Sequence, residues 1–93
     1  MADVPERPGT VGVLVRYFAA ARAAAGTSEE LLAVAAPADL AAVLAAAVDR
    51  HGAGLARVLE RCSFLLDEVA VHGRDTAVPD GAAVDVLPPF AGG

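Results

Sequence analysis

Asp39-Leu40-Ala41-Ala42-Val43-Leu44-Ala45-Ala46-Ala47-Val48-Asp49-Arg50-His51-Gly52 carries one apolar stripe, because Leu40, Val43, Leu44, Ala47 and Val48 recur at helical spacing. Asp39 can cap the start through its side chain, and Gly52 can take the left-handed position that ends a helix. Arg50 and His51 stand where the helix dipole favours positive charge. A helix over residues 39–51 with one buried face is therefore expected. It needs an apolar layer to lie on.

The flanking sequence supplies that layer. Upstream, Val11, Val13, Val15 and Tyr17 alternate with Gly12, Leu14, Arg16 and Phe18, a period-2 run rich in strand formers. Residues 18–25 favour helix by composition and stop at Gly26. Glu29–Val34, ending before Pro37, suits a second strand paired to the first. Downstream, Leu55, Val58, Leu59 and Cys62 make a second, shorter stripe, with Arg57, Glu60 and Arg61 turned outward. Phe64–Leu66 and Val69–Val71 flank Asp67-Glu68, most simply as a hairpin, although one continuous strand fits as well. His72-Gly73-Arg74-Asp75 and Asp80-Gly81 are turn chemistry, leading to a last strand over residues 83–87. The order β, β, α, short helix, β, β, β predicts an α+β fold: a mixed sheet of four or five strands with the 39–51 helix across one face. Val13, Val15 and Phe64 are expected to be buried with its stripe. Three segments are expected: a flexible lead over residues 1–10, one domain over 11–87, and a flexible tail over 88–93.

Ninety-three residues suffice for one modest core. No stretch offers the roughly 20 strongly apolar residues of a membrane span, and no apolar run near Met1 looks like a signal-peptide core. Twelve acids against seven bases give a net charge of −5, the wrong sign for holding a nucleic-acid backbone and the right one for a partner with a basic face. All the bases are arginine, so no side-chain amine is available for acylation. The single Cys62 has no partner for an internal disulfide, which agrees with a reducing, cytoplasmic setting. Two separated histidines and one cysteine do not make a zinc cluster, and no metal site is expected.

Inside the domain nothing reads as an active site. No nucleophile elbow or Gly-rich phosphate loop is present. Asp67 and Glu68 are solvated if they form a hairpin tip, Cys62 falls on an apolar stripe, and His51 and His72 read as a helix end and a turn. The end of the chain differs: Leu87-Pro88-Pro89-Phe90-Ala91-Gly92-Gly93. Gly92 and Gly93 lack a Cβ and can thread a channel too narrow for other residues. Pro88-Pro89 favours an extended backbone. Seven residues at about 3.3 Å each reach roughly 20 Å. Such a tail can deliver a terminal carboxylate into another protein's active site.

This ending, joined to the β-grasp order and to Arg16-Tyr17-Phe18-Ala19-Ala20-Ala21-Arg22 running to Gly26-Thr27, resembles the small sulfur-carrying subunits of molybdopterin synthase, within the ubiquitin-like family that includes the thiamine sulfur carrier. The resemblance covers roughly residues 11–93, and the alanine-rich 19–25 segment departs from it. It implies a ubiquitin-like β-grasp and a chain that is reagent rather than catalyst. An E1-like adenylating enzyme would use ATP to activate the carboxylate of Gly93, with Gly92 beside it. A persulfide-type sulfur donor would turn it into a thiocarboxylate. A large catalytic subunit would then move that sulfur onto a pterin precursor of the molybdenum cofactor. The carrier itself would bind no cofactor. The same resemblance implies an apolar docking patch of Phe18, Val71 and Leu87 beside the tail residues Pro88, Pro89, Phe90 and Ala91. Phe18 as plain core is the competing expectation. Two other destinations fit the tail: a sulfur carrier for cysteine, thiamine or a secondary metabolite, and a ubiquitin-like modifier or binding module.

Overall fold

The structure, a computed structural model, describes residues 9–89; the expectations for residues 1–8 and for Phe90, Ala91, Gly92 and Gly93 lie outside the described residues. Strand β1 (Thr10–Tyr17) alternates as its sequence does, with Val13, Val15 and Tyr17 buried. It pairs antiparallel with β2 (Glu29–Ala35) through helix α1 (Ala19–Ala25), which ends on Gly26 in the left-handed region with its N–H bonded to the Arg22 carbonyl. Pairing of β1 with the last strand, β7 (Ala83–Leu87), is parallel, whereas β4 (Ser63–Leu66) pairs antiparallel with β7 and with β5 (Val69–Val71). The result is a mixed five-stranded sheet in the order β2-β1-β7-β4-β5, the β-grasp arrangement.

Helix α2 (Leu40–His51) lies across one face of this sheet. The Asp39 carboxylate accepts the Ala42 N–H at 2.9 Å, the expected N-cap. Leu40, Val43, Leu44 and Ala47 pack with Val13, Val15, Phe64, Val84 and Val86, and α3 (Ala53–Leu59) adds Leu55 and Leu59. Full burial of a valine or leucine contributes about 1.5–3 kcal/mol, so this layer holds the sheet and helices together.

Several features of the fold depart from the sequence expectations, beginning with Thr10, expected in the lead, which opens β1. Val48 is only half-buried, because it stands at the margin of the stripe where α2 faces the α2–α3 groove. Gly52 has positive φ but an extended ψ of −171°, not the left-handed helical pair; this sends the chain directly into α3. Cys62 lies beyond the end of α3 and is half-buried at the core margin, where its thiol donates to the Val58 carbonyl. Two short strands, β3 (Ala38–Asp39) and β6 (Ala77–Val78), pair antiparallel in a second small sheet that no residue pattern announces. The Asp67-Glu68 ambiguity resolves as a hairpin: both residues take positive φ, as a tight turn between twisted strands requires.

Candidate functional site: the open sheet face at the root of the tail

A strand that buries Val13, Val15 and Tyr17 on one side must present Gly12, Leu14 and Arg16 on the other, and among the described residues no helix covers that other face. β7 repeats the pattern, with Val84 and Val86 inward and Ala83, Asp85 and Leu87 outward. Leu65 and the 71% exposed Leu31 extend the same outer surface.

Phe18 ends β1 at this surface. It is 43% exposed, while Tyr17 and Phe64 are buried, so the outer-surface expectation holds and the core reading does not. Its backbone N–H reaches the Val86 carbonyl at 3.3 Å, and its own carbonyl accepts from Ala21 at 3.0 Å. Ala19, immediately after it, takes φ of +50°. Left-handed backbone costs an alanine on the order of 1 kcal/mol, and here it turns the chain into α1 while the Phe18 ring stays outside. Leu87 is the neighbour of Val86 on β7 and is half-buried on the outer face; Pro88 and Pro89 continue from it.

Val71 does not join this group. It pairs with Phe64, and antiparallel partners share a face, so Val71 lies on the helix side at the far edge strand, partly packed against the core. The β1–β7 register thus sets Phe18 beside the Leu87 end of β7, and Val71 stands apart from them.

An ion pair absent from the sequence expectations occupies the same face. Arg16 donates to Asp85 from Nε at 2.5 Å and from Nη2 at 3.2 Å, a two-pronged contact across the parallel β1–β7 register. Asp85, 8% exposed, is the one buried charged residue described. The hydrogen bond and charge of Asp85 raise the Arg16 pKa above its ordinary value. The face around the tail root is therefore apolar at its rim with a self-neutralised charge pair inside it. Alternation of Val84, Asp85, Val86 signals the outward turn of Asp85, but its partner depends on strand order.

The opposite face holds a second polar cluster. Tyr17 donates to Glu30 at 2.5 Å, His51 Nε2 lies 2.7 Å from the same oxygen, and Arg50 Nε stands 3.1 Å from the other. Burial first, then the Glu30 hydrogen bond, pushes the Tyr17 hydroxyl well above its ordinary pKa. With every member engaged and the Tyr17 ring buried, the cluster ties β2 to the end of α2. Burial pushes the Cys62 thiol up from its ordinary pKa against a smaller opposing effect of Arg74, and this favours the protonated, less nucleophilic form.

Residues 15–93 match the ThiS family. The chain belongs to that family. Over 82 residues it is 34% identical to a molybdopterin synthase sulfur carrier subunit of Chlamydomonas reinhardtii, a match covering 87% of this chain and 98% of the relative. Among solved structures it is similar to a complex of subunits 1 and 2 of the molybdopterin-converting factor from Helicobacter pylori, with 28% identity, a TM-score of 0.61, and coverage of 89% of this chain and 100% of the other. It is also similar to small archaeal modifier protein 1 from Methanosarcina acetivorans, at 25% identity and a TM-score of 0.72, covering 90% and 98% of the two chains. The ThiS-family chain shares with these structures the β-grasp sheet just described. Among its described residues no helix is long and apolar enough to cross a membrane.

Proposed function

We propose that this ThiS-family protein carries sulfur as a thiocarboxylate on Gly93 and delivers it to the large subunit of a molybdopterin synthase. The observation that carries the reading is the near full-length match to a sulfur carrier subunit of that synthase. An E1-like enzyme joins the Gly93 carboxylate to AMP with release of pyrophosphate. A persulfide-type donor then displaces AMP, and reductive cleavage of the resulting acyl disulfide by a thiol leaves the thiocarboxylate. Docking uses Phe18, Leu87 and the tail residues Pro88, Pro89, Phe90 and Ala91, with Gly92 and Gly93 threaded into the partner. The chain is reagent in this scheme and holds no cofactor; ATP belongs to the activating enzyme. Its net charge of −5 suits a large subunit that is basic around a phosphorylated pterin. Cys62 is not the sulfur site, in line with its raised pKa.

Intact mass spectrometry after incubation with ATP, a sulfur source and the activating enzyme tests this. The expected product is a mass gain equal to exchange of one oxygen for sulfur, retained in Cys62→Ala and lost when Gly93 is deleted. Sulfur gained by the Gly93 deletion, or lost with Cys62, overturns the reading.

The similarity to a small archaeal modifier protein supports a second reading, in which Gly93 is joined to amines of other proteins. An N-terminally tagged chain then forms a ladder of heavier species in cells that resists reducing agents. A carrier gives only the free chain.

A further inference from the structure

Among the described residues β2 is the long free edge of the sheet, since there it pairs with β1 alone. Tyr17 N–H donates to the Ser28 carbonyl at 2.9 Å and Ala36 N–H to the Gly9 carbonyl at 2.6 Å, and the register between these bonds runs unbroken. Backbone groups alternate sides along an antiparallel strand. Glu30, Leu32 and Val34 therefore direct theirs to β1, while Glu29, Leu31, Ala33 and Ala35 direct theirs outward. Sheet edges are ordinarily blunted by lysine, proline, a bulge or brevity. The other edge, β5, has only three residues. β2 has seven, no bulge and no proline, in a chain without lysine. Its acids do not blunt it, because Glu30 is turned inward to Arg50 and His51 and Glu29 sits at the strand's end. The 71% exposed Leu31 stands beside the edge, and a shallow groove of about 460 Å³, lined by Leu31, Leu32, Ala33, Ala46, Asp49 and Arg50, runs along it.

We propose that β2 pairs with β2 of a second copy of this chain, antiparallel about a two-fold axis at Leu32, joining two five-stranded sheets into one. Such pairing must set outward residues against outward residues. Centred on Leu32, it does so four times: Glu29 against Ala35, Leu31 against Ala33, and the two symmetry-related pairs. Centred on Leu31 or Ala33, it does so three times. The Leu32 register also places no like charges opposite one another and seats large Leu31 against small Ala33. An isologous contact of this kind closes at two copies. The outer face around Phe18 and Leu87 stays open, and the two β7 strands stand five strand spacings apart, about 24 Å. Each copy carries −5, so long-range repulsion opposes the dimer and salt strengthens it, with screening over about 10 Å at 0.1 M.

Sedimentation velocity on the full chain, from low micromolar to near-millimolar concentration and in low and high salt, tests the proposal. The expected result is a monomer–dimer equilibrium whose dimer fraction rises with concentration and with salt. Leu31→Lys places a charge at an exposed edge position and is expected to give monomer throughout with an unchanged melting temperature. Ala33→Pro removes an outward N–H that β1 does not use, and serves as the second variant. A wild type that stays monomeric in high salt, a dimer that survives Leu31→Lys and Ala33→Pro, or growth beyond two copies overturns the proposal.

Discussion

Tyr17 shows how one residue can be core and polar at once. The residue is 1% exposed, and its hydroxyl donates to Glu30, which is shared with His51 and Arg50. Because the folded pKa lies above the unfolded value, the stability Tyr17 contributes is full below the unfolded pKa of about 10 and is lost as pH rises beyond it. The chain has one tyrosine and no tryptophan, so tyrosinate absorbance reports this site alone. Raising the pH past 10 is expected to give no tyrosinate signal until the far-ultraviolet dichroism collapses, and Tyr17→Phe is expected to lessen that alkaline loss of stability. A tyrosinate signal near pH 10 in folded protein contradicts the assignment. Glu30→Ala strands the Tyr17 hydroxyl and the His51 ring, a cost of about 1–3 kcal/mol for buried groups left unpaired, measurable by urea unfolding. Neither effect is legible from residues alone: Glu30 reads as an acid at a strand's start until the β1–β2 register and the end of α2 converge on it.

Among the elements, α2 announces itself most fully. Its periodicity, its Asp39 cap and its terminal bases all lie within one contiguous stretch, so local physics suffices to find it. Leu44, 3% exposed and facing the sheet, tests the packing it implies: Leu44→Ala is expected to cost about 2–5 kcal/mol in urea or thermal unfolding. A loss near zero puts the wrong face of α2 on the sheet. The five strands of the main sheet are legible in existence but not in order. That β7 lies between β1 and β4, and that β1–β7 is parallel, depends on long-range pairing that no local window contains. The Arg16–Asp85 pair and the displacement of Val71 from Phe18 both follow from that order. The β3–β6 pairing has two residues a side and leaves no periodic trace at all.

At the scale of the whole molecule, the sheet divides labour between its faces. One face is consumed by α1, α2 and α3, and among the described residues the other, which includes the outward side of β7, is left without a covering helix. Phe18 tests this division because its backbone is tied into the fold, through Val86 and the first turn of α1, while the residue is 43% exposed. Phe18→Arg can therefore keep every hydrogen bond of the native backbone, and a surface change of this kind alters stability by about 0.5 kcal/mol or less. An aromatic at the centre of an interface commonly accounts for 2 kcal/mol or more of binding, so affinity for the large subunit is expected to fall at least tenfold, read by calorimetry on samples whose melting is measured in parallel. Val71→Arg supplies the contrast. Val71 packs partly against the core on the helix side, so its substitution is expected to lower stability and leave the affinity of the folded fraction unchanged. Equal losses of affinity from both variants place the partner across the β4–β5 end rather than at the tail root, and a Phe18→Arg variant that fails to fold returns Phe18 to the core.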